Sequence, residues 1–122
     1  KACDCFVMPS HGESWCIPAF DAMAFGNPVI ATSEIGVEEY AKDTGWMVES
    51  LAEVVCTSDT ALRDIYTSRE EWRQINIKDL RKCMREAYEN KDLYKQKSKQ
   101  GIEVSKKYSY EEVGKIMMEG MN

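Results

Sequence analysis

The chain has 122 residues, enough for one modest domain that buries roughly two-thirds of its unfolded surface. Its composition, 43% hydrophobic and 30% charged with no low-complexity tract, is that of an ordinary soluble domain, and no apolar run approaches the ~20 residues of a membrane-spanning helix. The net charge of −5 argues against general nucleic-acid binding.

The opening CDCFVMP alternates and then runs apolar before a proline, which predicts a short buried strand with Cys3 and Cys5 on one face. The polar loop SHGES follows. IPAFDAMAFG then carries Ile17, Phe20, Met23 and Ala24 at helical spacing, with Pro18 at the first helical position. Gly26 suits a left-handed helix end, and Pro28 enforces the stop. PVIAT is a second strand with no room for a hairpin return, so the unit is βαβ with parallel strands. SEIGVEEYAKD predicts a turn at Gly36 and a short helix, and TGWMVE a third strand entered through Gly45.

Between residues 49 and 76, EVVC and EWRQI read as edge strands, with a short helix around Leu62–Tyr66. Asn76 is placed to cap a helix whose Ile77, Leu80, Met84, Ala87 and Tyr88 form one face. A further helix runs from Lys91 to Lys107. Ser109 with Glu112 forms a capping box that opens a last helix, with Val113, Ile116 and Met117 on one face.

The five cysteines are odd in number and irregularly spaced, as expected of free thiols in a reducing, cytoplasmic compartment. Cys3, Cys5, His11 and Cys16 lack a recurrent zinc spacing, so no metal site is expected. Charge is uneven: residues 1–77 carry net −8 and residues 78–107 net +5. The basic block reads as a solvated helical face, or as a weak attachment to an anionic membrane surface.

The junction SHGESWCIPAFD carries the chemistry. The first N–H groups of a helix lack intrahelical partners and sit at the positive end of its dipole; here these are Ser14 to Ile17. In open parallel sheets such helix starts gather beyond the carboxyl ends of the strands, where ligands bind. A pyrophosphate fits beside residues 14–17, and Asp21, read as lying in the first turn, suits vicinal ribose hydroxyls. Glu13 faces the same crevice. Each residue also has a plainer reading: Asp21 as dipole complementation, Glu13 and His11 as solvated loop residues, Trp15 as a half-buried anchor.

PSHGESWCIPAFDAMAFGNPVIAT resembles the signature of the retaining glycosyltransferases of family four, which have the two-domain GT-B fold. Pro9, Ser10, Glu13, Pro18, Ala22, Met23, Ala24, Gly26 and the run Pro28–Thr32 all match it. Gly36 with Glu38 or Glu39, Thr44-Gly45-Trp46, and Tyr108-Ser109-Tyr110-Glu111 resemble its later elements.

The resemblance implies an α/β fold: the C-terminal portion of a Rossmann-like GT-B donor domain, a short parallel sheet followed by several helices. Residues 1–107 would be part of the nucleotide-sugar-binding domain, and 108–122 a helix packing toward an N-terminal domain that lies upstream. The implied function is transfer of a sugar with retention from a nucleotide-sugar donor to a glycan or lipid-linked acceptor, without cofactor or metal. Glu13 would be catalytic, Asp21 would hold the ribose, and His11, Ser14, Trp15, Cys16 and Ile17 would bind substrate. The segment alone would be catalytically incomplete, and the intact enzyme cytoplasmic or peripheral to a membrane. The competing class is a non-catalytic binding or assembly module that keeps the half-fold.

Two departures from the signature stand out. Asp21 replaces glutamate, shortening its reach by about 1.5 Å. Ser14-Trp15-Cys16 replaces Gly-Phe-Gly, where glycines allow close backbone approach to a ligand.

Overall fold

Val29–Thr32 is apolar and β-branched on both sides of the backbone, so it must be covered on both faces, and it forms the middle of the sheet. A computed structural model describes residues 3–55 and 70–121. Strands β1 (Phe6–Met8), β2 (Val29–Thr32) and β3 (Trp46–Val48) are parallel in the order β1-β2-β3. Val7 lies opposite Ile30, and Ile30 opposite Trp46. Every residue of β2 is buried.

The period of two divides the core. Val29 and Ala31 join Met8, Ala19, Met23, Val37 and Tyr40 in one cluster. That cluster is built with helices α1 (Ile17–Ala24) and α2 (Glu38–Ala41). Ile30, Trp46 and Val48 join Ile75, Cys83 and Ala87 in the other, under helix α3 (Ile77–Glu89). The sheet is therefore layered between helices, as βαβ connections require. Helix α4 (Lys91–Lys106) returns against α1, where Gly101 admits Met23: a Cβ there would lie 2.7 Å from Met23 Cγ. Ser98 Oγ donates to the carbonyl of Gly26 at 2.7 Å. Gly26 itself has φ +79, the left-handed helix end expected of it. Among the described residues no helix is long and apolar enough to cross a membrane.

Strands β4 (Ser50–Val55) and β5 (Glu71–Ile75) pair antiparallel as a separate two-stranded sheet rather than extending the first. The short helix expected near Leu62–Tyr66, and Cys56, lie outside the described residues. Asn76 caps α3 as expected, its side chain accepting from the N–H groups of Lys78 and Asp79. Asp79 Oδ2 in turn accepts from Glu49 N at 2.8 Å, and Trp46 Nε1 donates to Glu86 at 3.0 Å, which fixes α3 against β3.

Several expectations need correction. β1 starts at Phe6, so Cys3 and Cys5 precede it, and Cys3 is exposed. In α3, Ala87 is buried and Leu80 packs on the core as expected, but Cys83 is buried beside them and Ile77, Met84 and Tyr88 are exposed. Small side chains face the sheet, and Met84 and Tyr88 are turned to the rim. α1 buries Ala19 and Met23, not Ile17. Asp21 is not in the first turn of α1, which holds no acidic residue: the helix begins at Ile17, so Asp21 is its fifth residue and lies beyond the unpaired amides. In the last helix, α5 (Tyr110–Gly120), Ser109 Oγ accepts from Glu112 N, but the Glu112 carboxylate bonds Lys115 instead of closing the box. The four described cysteines are free thiols.

Gly36, in the turn between β2 and α2, is the most tightly approached of the glycines. Its N–H donates to the carbonyl of Glu13 at 2.9 Å, and a Cβ would fall 1.6 Å from the carbonyl oxygen of Ser14. No side-chain shift relieves a collision with backbone. Gly36→Ala is expected to cost about 3 kcal/mol or more. Gly114→Ala, in α5 with nothing within 4 Å of its Cβ position, should be neutral or stabilise by up to ~1 kcal/mol. Thermal unfolding of the two variants checks the contrast; equal midpoints would contradict it.

Candidate functional site

Residues 9–16 leave the carboxyl end of β1 and run to the start of α1, and three groups beneath hold this backbone in place. Buried Thr32, at the carboxyl end of β2, donates its hydroxyl to Ser10 O at 2.7 Å. Gly36 holds the carbonyl of Glu13. The Tyr40 hydroxyl donates to Trp15 O at 2.8 Å and lies 3.2 Å from Cys16 O. The Trp15 ring packs on Phe20, Tyr40 and Tyr108, with centroids 5.6, 4.9 and 5.0 Å away. Trp15 is thus part of an aromatic cluster that carries the loop, the anchoring role its position allowed.

Cys16 ends the loop with φ 57 and ψ 77, a left-handed conformation that costs a residue with a Cβ roughly 1–2 kcal/mol. The chain keeps at Cys16 a backbone geometry that glycine adopts without strain. Cys16 O accepts from Ala19 N and Phe20 N, and Pro18 has no N–H. Among the described residues, the N–H groups of Ser14, Trp15, Cys16 and Ile17 donate to no protein group. Four donors therefore gather at the positive end of α1. Glu13 is exposed, with Ser10 Oγ 3.4 Å from its Oε1.

The β4–β5 hairpin docks on this loop, which the sequence did not foretell. Arg73 N donates to His11 O at 3.1 Å. His11 Nδ1 lies 2.6 Å from Arg73 O, so Nδ1 carries a proton and donates. The His11 ring stacks on Trp72 with centroids 4.7 Å apart. Arg73 also pairs with Glu34 at 2.8 Å, and Glu34 accepts from Ser50 Oγ at 3.2 Å. Glu34 is the second non-glycine residue in left-handed conformation, φ 61.

These contacts border an open groove of about 350 Å³, lined among others by His11, Glu13, Glu34, Glu71, Trp72 and Arg73. The structure thus brings His11 and Glu13 into one groove, and Ser14 to Ile17 follow directly in the chain. Asp21 lies apart from it, exposed on α1. EWRQI is recognisable as a strand, but the loop residue on which it docks, His11, lies 62 residues from Arg73, and no local pattern names that contact. A roomier apolar cavity, about 450 Å³, lies beside β1 against Met84, Tyr88 and Tyr94, without Glu13 or the α1 amides among its walls.

The sequence model described as Glycosyl transferases group 1 matches residues 1–79, a span that holds the sheet, the loop and the hairpin. The chain belongs to this glycosyltransferase family. No curated protein and no solved structure matches it. Membership of the group 1 glycosyltransferases associates the chain with sugar transfer. The short parallel sheet with its helices is consistent with part of a GT-B Rossmann-like domain.

Burial pushes the Tyr40 phenol well above its ordinary value of 10, with Cys16 and Glu13 adding to the shift. Burial, with Cys3 adding, likewise raises Cys5 from 9.0 to about 11. Each folded group keeps a proton that the unfolded chain has lost, so stability falls as pH rises from 9 to 11 for Cys5 and from 10 upward for Tyr40. Tyr40→Phe is expected to lose about 1–3 kcal/mol near neutral pH, because the buried-side carbonyl of Trp15 loses its donor. It should also flatten the decline above pH 10. Denaturant unfolding from pH 7 to 11 measures both effects, and an unchanged alkaline slope would contradict the assignment.

Proposed function

We propose that the full-length protein is a retaining glycosyltransferase and that residues 11–21 receive its nucleotide-sugar donor. One observation carries the reading. The Glu13 carboxylate and the amides of Ser14 to Ile17, which have no acceptor among the described residues, lie in the loop at the carboxyl end of β1, within the family-matched segment.

In this reading the amides of Ser14, Trp15 and Cys16 meet the donor phosphates and sugar hydroxyls at the positive end of α1. As the bond to the leaving phosphate breaks, negative charge grows there, and donors already fixed by Gly36 and Tyr40 stabilise it without reorganising. Glu13 stabilises the positive charge that develops on the transferred sugar. Ile17 and Asp21 are four residues apart, hence on one exposed helical face. They suit the ribose and base, with Asp21 accepting from the ribose hydroxyls.

The scheme requires no resident metal or cofactor. The exposed apolar residues of α5, Ile116 and Met117 among them, fit packing on an acceptor domain, and the basic block of α3 and α4 fits weak contact with an anionic membrane.

Glu13→Gln is expected to lower kcat by about 10²–10³-fold with little change in donor affinity. Asp21→Ala should weaken donor binding about tenfold while sparing kcat. Steady-state kinetics with direct donor binding separate the two. Turnover indifferent to Glu13 would remove the catalytic assignment, and unchanged affinity in Asp21→Ala the ribose assignment. Chelation with EDTA should leave the rate unchanged.

A further inference from the structure

We propose that Tyr108 is a positioning residue for the donor loop: its ring braces Trp15, and through Trp15 it holds the left-handed backbone of Cys16. The inference rests on the transferase reading of the amides at residues 14–17. It adds to that reading a residue beyond the family-matched span 1–79.

Cys16 needs an outside hold. Its φ of 57 and ψ of 77 lie where a residue with a Cβ stays only when its surroundings keep it there. Its side chain makes no capping hydrogen bond. The hold comes through the preceding residue. The Tyr40 hydroxyl donates to the Trp15 carbonyl at 2.8 Å, and the Trp15 indole packs against three rings. Two of these, Phe20 and Tyr40, belong to α1 and α2 beside the loop. The third, Tyr108, comes from the joint between α4 and α5. It meets Trp15 at 5.0 Å between centroids with an interplanar angle of 64°, and Phe20 at 5.8 Å and 87°. Edge-to-face pairs have a preferred geometry, so the indole cannot turn without losing them.

The brace is itself firmly held. Lys107 N donates to Val104 O at 3.0 Å and Tyr108 N to Ser105 O at 3.1 Å, so the last turn of α4 runs on into Tyr108. α4 is seated on α1 at Gly101, and Ser98 Oγ fixes it to the carbonyl of Gly26. Tyr108 is therefore positioned relative to the same helix whose start the loop forms. The two peptide units that meet at the Trp15 Cα carry the N–H groups of Trp15 and Cys16, so an indole that cannot turn steadies both donors. Without the Tyr108 ring the indole gains room, Cys16 relaxes, and a donor must restore the left-handed geometry as it binds. The strain of one left-handed residue corresponds to about tenfold in affinity. The Tyr108 hydroxyl makes no hydrogen bond among the described residues, so the ring alone supplies the brace. Glycine adopts this backbone without strain, so the need for Tyr108 follows from the side chain of Cys16.

The test is equilibrium binding of UDP-glucose, ADP-glucose, dTDP-glucose and GDP-mannose to the full-length protein, followed with whichever probe the unaltered protein binds. Tyr108→Ala should weaken that probe about tenfold, and Tyr108→Phe should keep the original affinity. Val48→Ala opens a cavity in the core cluster on the other face of the sheet; it should lower the unfolding midpoint and leave the affinity unchanged. In the Cys16→Gly protein, adding Tyr108→Ala should weaken binding by only about threefold or less. Tyr108→Leu keeps an apolar side chain without an aromatic edge, and it allows the same comparison if Tyr108→Ala fails to fold. Equal loss with and without Cys16→Gly, or unchanged affinity in both Tyr108→Ala and Tyr108→Leu, would overturn the positioning role while the transferase reading stood. A loss in Tyr108→Phe or Val48→Ala as large as that in Tyr108→Ala would do the same. Failure of all four probes to bind the unaltered protein would overturn the transferase reading, and this inference with it.

Discussion

The contact on which the site depends is backbone against backbone: Gly36 beneath the carbonyls of Glu13 and Ser14. Nothing larger than hydrogen fits there. That contact joins the loop after β1 to the turn after β2, so two strand ends that a parallel sheet merely sets side by side become one surface. Thr32 below Ser10 and Tyr40 below Trp15 act in the same sense. The loop is held by its carbonyls from inside the fold. The amides of Ser14 to Ile17 have no acceptor among the described residues, so the contacts that stabilise the loop leave these peptide groups uncommitted.

The local parts of this arrangement were legible in the sequence. Pro18, Gly26 and Pro28 mark the ends of α1 by restrictions on their own backbones, and PVIAT leaves no choice but a buried parallel strand. Asn76 and Ser109 announced helix starts through side chains that reach N–H groups only two or three residues away. The reading failed where geometry depends on partners distant in the chain. α3 buries Cys83 and exposes Met84 and Tyr88 because of how closely it approaches the sheet, which helical periodicity does not encode. The docking of Arg73 on His11 is a register between segments 62 residues apart. Asp21 was misplaced by less than a turn, yet that is enough to take it out of reach of the unpaired amides.

The departures from the family signature acquire a physical meaning in the folded chain. Cys16 retains left-handed geometry despite its Cβ, at a cost that Tyr40 and the aromatic cluster around Trp15 offset. The weakly patterned stretch after β3 supplies the hairpin that borders the Glu13 groove. Family membership rests on residues 1–79, and the helices beyond serve that segment: α3 closes the second face of the sheet, and α4 seats Gly101 on Met23.

The central claim is that the amides of Ser14 to Ile17 are kept free of protein partners in order to meet the donor. Backbone amide hydrogen exchange of the full-length protein, with and without a bound nucleotide sugar, tests it most directly. The account predicts marked slowing at Ser14, Trp15, Cys16 and Ile17, with little change at Gly36, Ala19 and Phe20, whose N–H groups already have protein acceptors. Donor binding that leaves exchange at residues 14–17 unaltered would contradict it.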